Sequence, residues 1–311
     1  MLPVIYHSIY SDFPLPDGHR YPLQKYQLLK TYIEQQPWPV QSFEPEILNS
    51  DTLKAIHDAG YVDALITGSL PLVKMRRIGF PWSHALIQRS LTSLGGTTLT
   101  VDKAIEQGVA IHLTGGYHHA HHDFGSGFCL FNDLILAANH ALSSPTIEKV
   151  LIVDCDVHHG DGTATLAQHR SDIVTLSVHC DKNFPSRKPE SDIDLPMPIG
   201  TDSESYLREF IPCLTLALAL HQPDMVIYDA GVDIHTDDEL GYMSVCQAGI
   251  AKRDSAVFAA CKAHQIPVAA VIGGGYRTDQ TALVPLHAEL IRAALKTYFS
   301  NLETHYPNIE S

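Results

Sequence analysis

The stretch LIVDCDVHHGDG, residues 151–162, decides the fold. It begins as an apolar run, and three Asp and two His then fall within the eight positions 154–161. A continuously apolar run is typical of a strand that is covered on both faces of a parallel sheet. In such sheets, ligands bind beyond the carboxyl ends of the strands. The stretch therefore predicts a buried strand that carries polar side chains to one edge of a sheet.

Similar apolar runs recur along the chain, and helical patterns separate them. The predicted strands are 4–6, 109–114, 149–154, 173–178, 225–230 and 268–273. The predicted helices are 84–107, 129–143, 162–170, 203–221, 247–265 and 280–299. This alternation predicts an α/β fold with a central, mostly parallel sheet flanked by helices. No linker or repeat divides the sequence, so we expect a single domain over residues 1–311.

Composition narrows the classes of partner. The 311 residues include 21 Lys and Arg against 35 Asp and Glu, which gives a net charge of −14. An acidic protein is poorly suited to nucleic acid or to an anionic membrane surface. A basic polypeptide or a cationic small molecule is an easier partner, unless the acidic residues serve only solubility.

The cysteine pattern and the hydropathy bear on location. The six cysteines are scattered without a CxxC motif, as expected in a reducing compartment. The sequence MLPVIYHS lacks the basic and apolar regions of a signal peptide, and the longest apolar run, near 214–220, is too short to cross a bilayer. We therefore expect a cytoplasmic protein without a membrane span.

The polar end of the opening stretch predicts half of a metal site. Side chains alternate along a strand, so Asp154, Asp156 and His158 point the same way. A divalent cation supplies a partner for such buried polar groups. Asp233, which follows the predicted strand 225–230, is the natural third ligand beside Asp156 and His158. Two Asp and one His leave an open position, which is typical of a catalytic zinc site, with Fe²⁺ as the alternative metal.

The alternative is a polar strand-to-helix turn in which Asp161 starts the next helix.

A second cluster of polar residues is GGYHHAHHD, residues 115–123. His118 and His119 follow a strand and two glycines, where backbone can approach a ligand closely. A catalytic histidine needs a carboxylate that fixes its tautomer, and Asp154 and Asp161 are available for this. The alternative is a loop or surface tract of histidines. We expect His121 and His122 to be ordinary loop residues.

The motifs together resemble, in order and spacing, the zinc-dependent histone deacetylase family, which includes acetoin-utilisation and acetylpolyamine amidohydrolase proteins. They are GGYHHAHHDFGSGFCLFND (115–133), LIVDCDVHHGDGT (151–163), TLSVH (175–179), DAGVDIHTDDELG (229–241) and VIGGGYRTD (271–279). HRYPLQKY (19–26) and IGFPWS (78–83) are similar to the class IV and bacterial branch. The resemblance implies a three-layer, arginase-like fold.

The resemblance also implies roles for individual residues. The metal ligands would be Asp156, His158 and Asp233, and the catalytic groups would be His118, His119, Tyr276, Asp154 and Asp161. The acyl-lysine tunnel would be formed by Gly127, Phe128 and Phe184. A structural K⁺ would be bound by the side chains of Asp154 and Ser177 and by the carbonyls of Asp156, His158 and Val178. Arg20 would match an arginine beside an acetate exit channel, with an ordinary surface charge as the alternative.

The implied activity is metal-dependent hydrolysis of the amide of N6-acetyl-lysine, or of a related acyl-lysine, in proteins or peptides. Acetylpolyamines, other small acylated amines and long-chain fatty acyl-lysine are alternative substrates. A non-catalytic acyl-lysine binder is the alternative from another class. Arginase chemistry needs a second metal, but glycines, Gly160 and Gly231, stand at the positions of its additional ligands. The sequence leaves the oligomeric state open.

Overall fold

An eight-stranded, all-parallel sheet forms the centre of the protein in the computed structural model, which describes residues 1–300. The strands are β1 (Leu2–Ile5), β2 (Val40–Phe43), β3 (Val109–His112), β4 (Val150–Asp154), β5 (Ile173–Cys180), β6 (Ile193–Met197), β7 (Met225–Asp229) and β8 (Val268–Val271). Their order across the sheet is β2-β1-β3-β8-β7-β4-β5-β6. The predicted parallel α/β sheet is therefore confirmed.

The two edge strands, β2 and β6, were not predicted from the sequence. Every residue of β4 and β5 is buried, whereas β2 has no buried residue and β6 has one, Met197. Their sequences, VQSF and IDLPM, lack a continuous apolar run because each edge strand has a neighbour on one side only. A search for continuous apolar runs, which identified the central strands, does not detect such edge strands.

Helices separate most of the strands. They are α1 (Lys25–Glu34), α2 (Ala59–Thr67), α3 (Leu72–Ile78), α4 (His84–Gln107), α5 (Asp133–Leu142), α6 (Asp161–Ala167), α7 (Ser203–His221), α8 (Gln247–Ala263) and α9 (Val284–Phe299). The bounds of α4 and α7 match their predictions. At the start of α4, the Ser83 hydroxyl accepts a hydrogen bond from the Leu86 amide, and Gly108 ends the helix with a φ of +84°. The short helices α1 to α3 were missed.

The helices fall into two packed groups, and these cover the sheet. In one group α4 packs on α5 and α5 packs on α6, while in the other α7, α8, α9 and α1 pack in succession. Both α4 and α9 contact β1 and β3. The arrangement leaves the carboxyl edge of the sheet for the loops after β3, β4, β7 and β8.

Two further features of residues 1–300 concern the cysteines and the hydropathy of the helices. All six cysteines are free thiols. None of the helices in this range combines the length and the hydropathy that a bilayer crossing requires.

Candidate active site

Asp156, His158 and Asp233 form one buried cluster at the carboxyl edge of the sheet. The loop after β4 supplies the first two residues, and the loop after β7 supplies the third. His158 Nδ1 lies 2.9 Å from Asp156 Oδ1 and 3.3 Å from Asp233 Oδ2. One ligand atom from each residue lies within 4.8 Å of the other two. The structure thus brings together the three residues predicted as metal ligands.

This cluster fits a divalent cation. Within residues 1–300, Asp233 Oδ2 is buried and has no hydrogen-bond partner. Burial and the neighbouring Asp156 charge raise the pKa of Asp233 to about 8. Although burial opposes a charged ring, the carboxylates of Asp156 and Asp233 raise the pKa of His158 to about 10. The cluster therefore favours added positive charge, and two carboxylates with one imidazole leave an open position on a metal.

A glycine allows the backbone to approach this cluster. The Gly274 amide donates a hydrogen bond to Asp156 Oδ2 at 3.1 Å. A Cβ atom at position 274 would collide with the carboxylates of Asp156 and Asp233. The glycine run before Tyr276 is therefore required by close packing on the cluster.

His118 and His119 each pair with a carboxylate. His118 Nδ1 lies 2.7 Å from Asp154 Oδ2, and His119 Nδ1 lies 2.7 Å from Asp161 Oδ1. The two Nε2 atoms are 3.1 Å apart, and both rings are buried. Each carboxylate fixes the orientation of one ring. The two His-Asp pairs thus have the partners that the sequence analysis predicted.

Electrostatics differ between the two histidines. Although burial disfavours charge on His118, the Asp154 and Asp156 carboxylates raise its pKa well above the usual value. Burial and the neighbouring His118 charge lower the pKa of His119. The arrangement therefore favours one charged and one neutral imidazole.

The expectation for His121 was incomplete. Its Nε2 lies 3.0 Å from Asp161 Oδ2, so Asp161 is shared between His119 and His121. His122 instead contacts the Ile56 carbonyl through Nδ1 at 3.2 Å. His121 therefore helps to hold the carboxylate that orients His119, whereas His122 is a loop residue.

The loop that carries the tandem histidines is anchored at the start of α5. Asp133 accepts hydrogen bonds from the amides of Gly116 at 3.1 Å and Tyr117 at 2.6 Å. Gly115 and Gly116 have φ values of +98° and +85°, which other residues rarely adopt. This bend turns the chain so that the next two side chains face the β4 loop.

A pocket of about 710 Å³ opens over these groups. The predicted site residues that line it include His119, His158, Phe128, Phe184 and Tyr276. The Phe184 ring stands edge-on to His119 with centroids 4.8 Å apart, and its side chain is 43% exposed at the mouth. The Phe128 and Tyr276 centroids are 6.0 Å apart. The two phenylalanines thus lie on the wall of one pocket.

Gly127 and Tyr276 are placed by their backbones. Gly127 has a φ of +53°, and a Cβ atom there would lie 2.5 Å from the His119 ring. The Tyr276 amide donates a hydrogen bond to Asp238 Oδ2 at 2.6 Å, and its ring centroid lies 6.1 Å from that of His158. Burial raises the pKa of the Tyr276 hydroxyl well above its usual value, so the group remains a proton donor at neutral pH.

The residues predicted for a monovalent cation lie on adjacent strands. Asp154 and Ser177 are register partners in β4 and β5, and Val178 is the next residue of β5. Ser177 Oγ lies 3.0 Å from His179 Nδ1. The K⁺ site stays a prediction.

Lys25 was missed by sequence reasoning. It lies on α1, is buried, and donates hydrogen bonds to the carbonyls of Gly273 at 2.9 Å and Gly275 at 3.5 Å. Arg20, for which the sequence left a place beside an acetate exit channel or a surface charge open, is exposed and lines the pocket. No local sequence pattern identifies Lys25 as a site residue, because only the tertiary fold brings α1 against the loop after β8.

Two other buried charged residues were also missed. Asp229 is the register partner of Asp154, and burial raises its pKa well above the usual value. Arg253 on α8 donates hydrogen bonds to the carbonyls of Gly231 at 2.6 Å and Ala230 at 3.2 Å. Arg253 thus fixes the loop that carries Asp233.

Comparisons with known proteins identify a domain family and several similar chains. Residues 19–288 match the model of the histone deacetylase domain family. An uncharacterized protein of Picosynechococcus sp. is 42% identical over 298 residues, which cover 95% of this chain and 99% of that protein.

Two relatives carry functional names. Histone deacetylase 2 of Arabidopsis thaliana is 29% identical over 78% of this chain and 65% of its own length. The acetoin utilization protein AcuC of Staphylococcus aureus is 30% identical over 66% of this chain and 58% of its own length. The chain therefore aligns with less than two thirds of the length of each of these two proteins.

Among solved structures, the crystal structure of the HDA15 HD domain superposes with a TM-score of 0.77. The match covers 98% of this chain and 97% of the other at 21% sequence identity. It identifies the fold as that of the HDA15 HD domain.

Proposed function

The chain belongs to the histone deacetylase family of amidohydrolases, and from this premise we propose that it is a zinc-dependent deacylase. Its substrate is the amide of N6-acetyl-lysine, or of a related acyl-lysine, in a protein or peptide. The observation that carries the proposal is the convergence of the Asp156, His158 and Asp233 cluster with two His-Asp pairs below one pocket.

Asp156, His158 and Asp233 hold the divalent cation in this proposal. When bound, Zn²⁺, or Fe²⁺ as the alternative, polarises the amide carbonyl and lowers the pKa of a water from about 15.7 towards 7. A structural K⁺ belongs with Asp154, Ser177 and the neighbouring backbone carbonyls.

His119 is the general base in this proposal. Its ring lines the pocket, whereas His118 lies behind it, against Asp154. His119 therefore takes the proton of the attacking water while Asp161 holds its other nitrogen. His118 stabilises the developing negative charge or helps to protonate the leaving amine.

The other residues bind and orient the substrate. Tyr276 donates its hydroxyl hydrogen bond to the oxygen that becomes negative during the reaction. Phe128 and Phe184 wall the acyl-lysine chain and exclude water, and the Gly127 carbonyl accepts a hydrogen bond from the substrate amide.

We assign these steps to a single catalytic domain over residues 1–311, of which 301–311 lie outside the described residues. The free thiols of the six cysteines support the assignment of the protein to the cytoplasm.

A substrate panel tests the proposal. The purified, zinc-loaded protein is assayed with an acetyl-lysine peptide, longer acyl-lysine peptides and acetylated polyamines. We expect an acyl-lysine peptide to be hydrolysed with the highest kcat/KM, and a chelator to stop the reaction. Faster hydrolysis of acetylated polyamines would reassign the substrate, and failure to hydrolyse any of these amides would reject the activity.

A further inference from the structure

Three arginines surround the mouth of the active-site pocket. Arg20, Arg77 and Arg187 all line the pocket that contains His119 and Tyr276. They come from three separate segments of the chain, namely the loop before α1, the end of α3 and the loop between β5 and β6. All three are exposed. The fold therefore concentrates positive charge at one opening of an otherwise acidic protein.

These arginines lack the carboxylate partners that other arginines have. Salt bridges join five arginines to carboxylates: Arg170 to Asp172, Arg208 to Glu209, Arg253 to Asp254, Arg277 to Asp237 and Arg292 to Glu289. Within residues 1–300, no salt bridge engages Arg20, Arg77 or Arg187. Their guanidinium groups are therefore available to a ligand at the mouth.

Two carboxylates line the same pocket, and both are engaged. Asp161 is bound by His119 and His121. Glu239 accepts hydrogen bonds from the Thr278 amide at 2.6 Å and the Thr278 hydroxyl at 3.0 Å. These bonds lower the pKa of Glu239, with a smaller contribution from Arg20. Glu239 thus offsets one of the three positive charges, and the mouth keeps a positive excess.

Arg77 is also held in place. Its guanidinium carbon lies 3.7 Å from the centroid of the Phe124 ring, a cation–π contact that leaves its nitrogens available for a ligand. Guanidinium groups bind carboxylates through paired hydrogen bonds, which a lysine ammonium cannot reproduce. A preorganised arginine at the rim is therefore suited to a carboxylate.

We propose that the pocket mouth selects acyl-lysine in acidic peptide segments, with carboxylates flanking the modified lysine that bind Arg20, Arg77 and Arg187. This inference rests on the proposed deacylase function and names its substrate class. The net charge of the chain favours a basic partner, whereas the arginines at the pocket mouth favour an acidic one. Because charges beyond roughly 8 Å are screened at physiological salt, the residues at the mouth determine the electrostatic contact with the substrate.

Matched peptides test the inference. Three acetyl-lysine peptides of equal length carry Asp and Glu, Gly and Ser, or Lys and Arg beside the modified residue. At low salt we expect kcat/KM to be about 10-fold higher for the acidic than for the basic peptide. The difference lies mainly in KM, because the arginines do not touch the scissile amide, and it shrinks at about 0.5 M salt.

A charge-reversed rim provides the second arm. The Arg20→Glu, Arg187→Glu double variant changes two exposed side chains, and we expect it to prefer the basic peptide. Lys252→Glu is the control, since Lys252 is an exposed residue of α8 outside the pocket lining. Thermal unfolding of each variant checks that the fold is retained. The control should keep the preference for the acidic peptide.

Each outcome decides the inference. Equal rates for all three peptides, a preference for the basic peptide, or an unchanged preference in the rim variant would overturn it while leaving the deacylase function intact. Faster hydrolysis of free N6-acetyl-lysine than of the acidic peptide would assign the arginines to the α-carboxylate of a free amino acid and overturn the peptide substrate. If the zinc-loaded protein hydrolyses no acyl-lysine at all, the proposed function fails and this inference fails with it.

Discussion

The Tyr276 side chain is positioned by the loop on which it lies. Its amide is bonded to Asp238, and its ring faces His158 across the pocket. Because burial keeps the hydroxyl protonated, it can donate a hydrogen bond throughout the neutral pH range. A phenol in this position stabilises negative charge on a reacting carbonyl oxygen.

Tyr276→Phe therefore removes a donor that acts mainly in the transition state. We expect kcat to fall by about 10²–10³, with little change in metal content, because Tyr276 is not one of the metal ligands. Steady-state kinetics and elemental analysis of the purified variant measure the two quantities. Hydrolysis at the parental rate would contradict the assigned role.

The neutral ring of His57, just before α2, is hydrogen-bonded to the loop of the tandem histidines. Its Nδ1 donates to the His121 carbonyl at 2.8 Å, and its Nε2 accepts from the Asn132 amide at 3.1 Å. Burial lowers the pKa of His57 to about 4. Protonation of Nε2 would remove the acceptor for Asn132, so the folded protein disfavours the charged ring.

His57 should make stability depend on pH. Its folded pKa lies below the unfolded value of about 6.5, so the unfolded chain binds more protons between these two values. The contribution of the neutral His57 ring to the free energy of unfolding is complete above about pH 6.5 and amounts to about 3 kcal/mol. It is lost as the pH falls towards 4.

Urea unfolding at several pH values, compared between the parental protein and His57→Gln, measures this contribution. The variant should show a smaller loss of unfolding free energy over that range. An NMR titration of the His57 ring in the folded protein provides an independent measurement, and a ring pKa near 6.5 would contradict the account.

The residues that the sequence predicted are those whose spacing is local. Asp156 and His158 share one stretch, and His118 and His119 are adjacent, so the short separation along the sequence keeps each pair within one loop at the carboxyl edge of the sheet. The partners of Lys25 lie about 250 positions along the chain, at Gly273 and Gly275. Such contacts depend on the tertiary fold and leave no signal in a local pattern.

At the scale of the elements, one buried lysine joins α1 to the loop after β8. Lys25 donates to two carbonyls of the glycine run before Tyr276. Burial lowers the pKa of Lys25 to about 8, although the carboxylates of Asp233 and Asp156 oppose this effect. The lysine therefore connects helix α1 to the position of the Tyr276 phenol, for which we propose a role in catalysis.

Lys25→Met leaves the two carbonyls without this donor. We expect the free energy of unfolding to fall by about 1–3 kcal/mol and kcat to fall because Tyr276 is less well placed. Lys25→Arg keeps a cationic donor and should lose less of both. Denaturant unfolding and kinetics measure the two effects, and equal behaviour of the Met and Arg variants would argue against the donor role.

The strands that the sequence missed differ physically from those it predicted. The central strands are buried on both faces and therefore read as apolar runs, whereas β2 and β6 are partly exposed. Helices α4 and α7 were predicted with their bounds because they are long and have recognisable caps. The helices α1 to α3 have only 10, 9 and 7 residues, so each offers few turns over which a helical period can be recognised.

Across the whole molecule, net charge and local charge favour different partners. The chain carries −14 overall, yet the pocket mouth is lined by three arginines and by Glu239. Composition reports a sum over the surface, whereas recognition depends on the groups that converge at one opening. The net charge can be read from the sequence, but only the fold shows that the three arginines lie at one opening.

The whole account depends on a divalent cation held by Asp156, His158 and Asp233. Asp233→Ala tests this point most directly, and Asp237→Ala is the matched control on the same loop, at an exposed position.

The measurement is metal content per chain together with chelator-sensitive hydrolysis of an acetyl-lysine peptide. We predict about one divalent ion per chain and chelator-sensitive turnover in the parental and Asp237→Ala proteins, and neither in Asp233→Ala. Retention of both metal and turnover by Asp233→Ala would contradict the account.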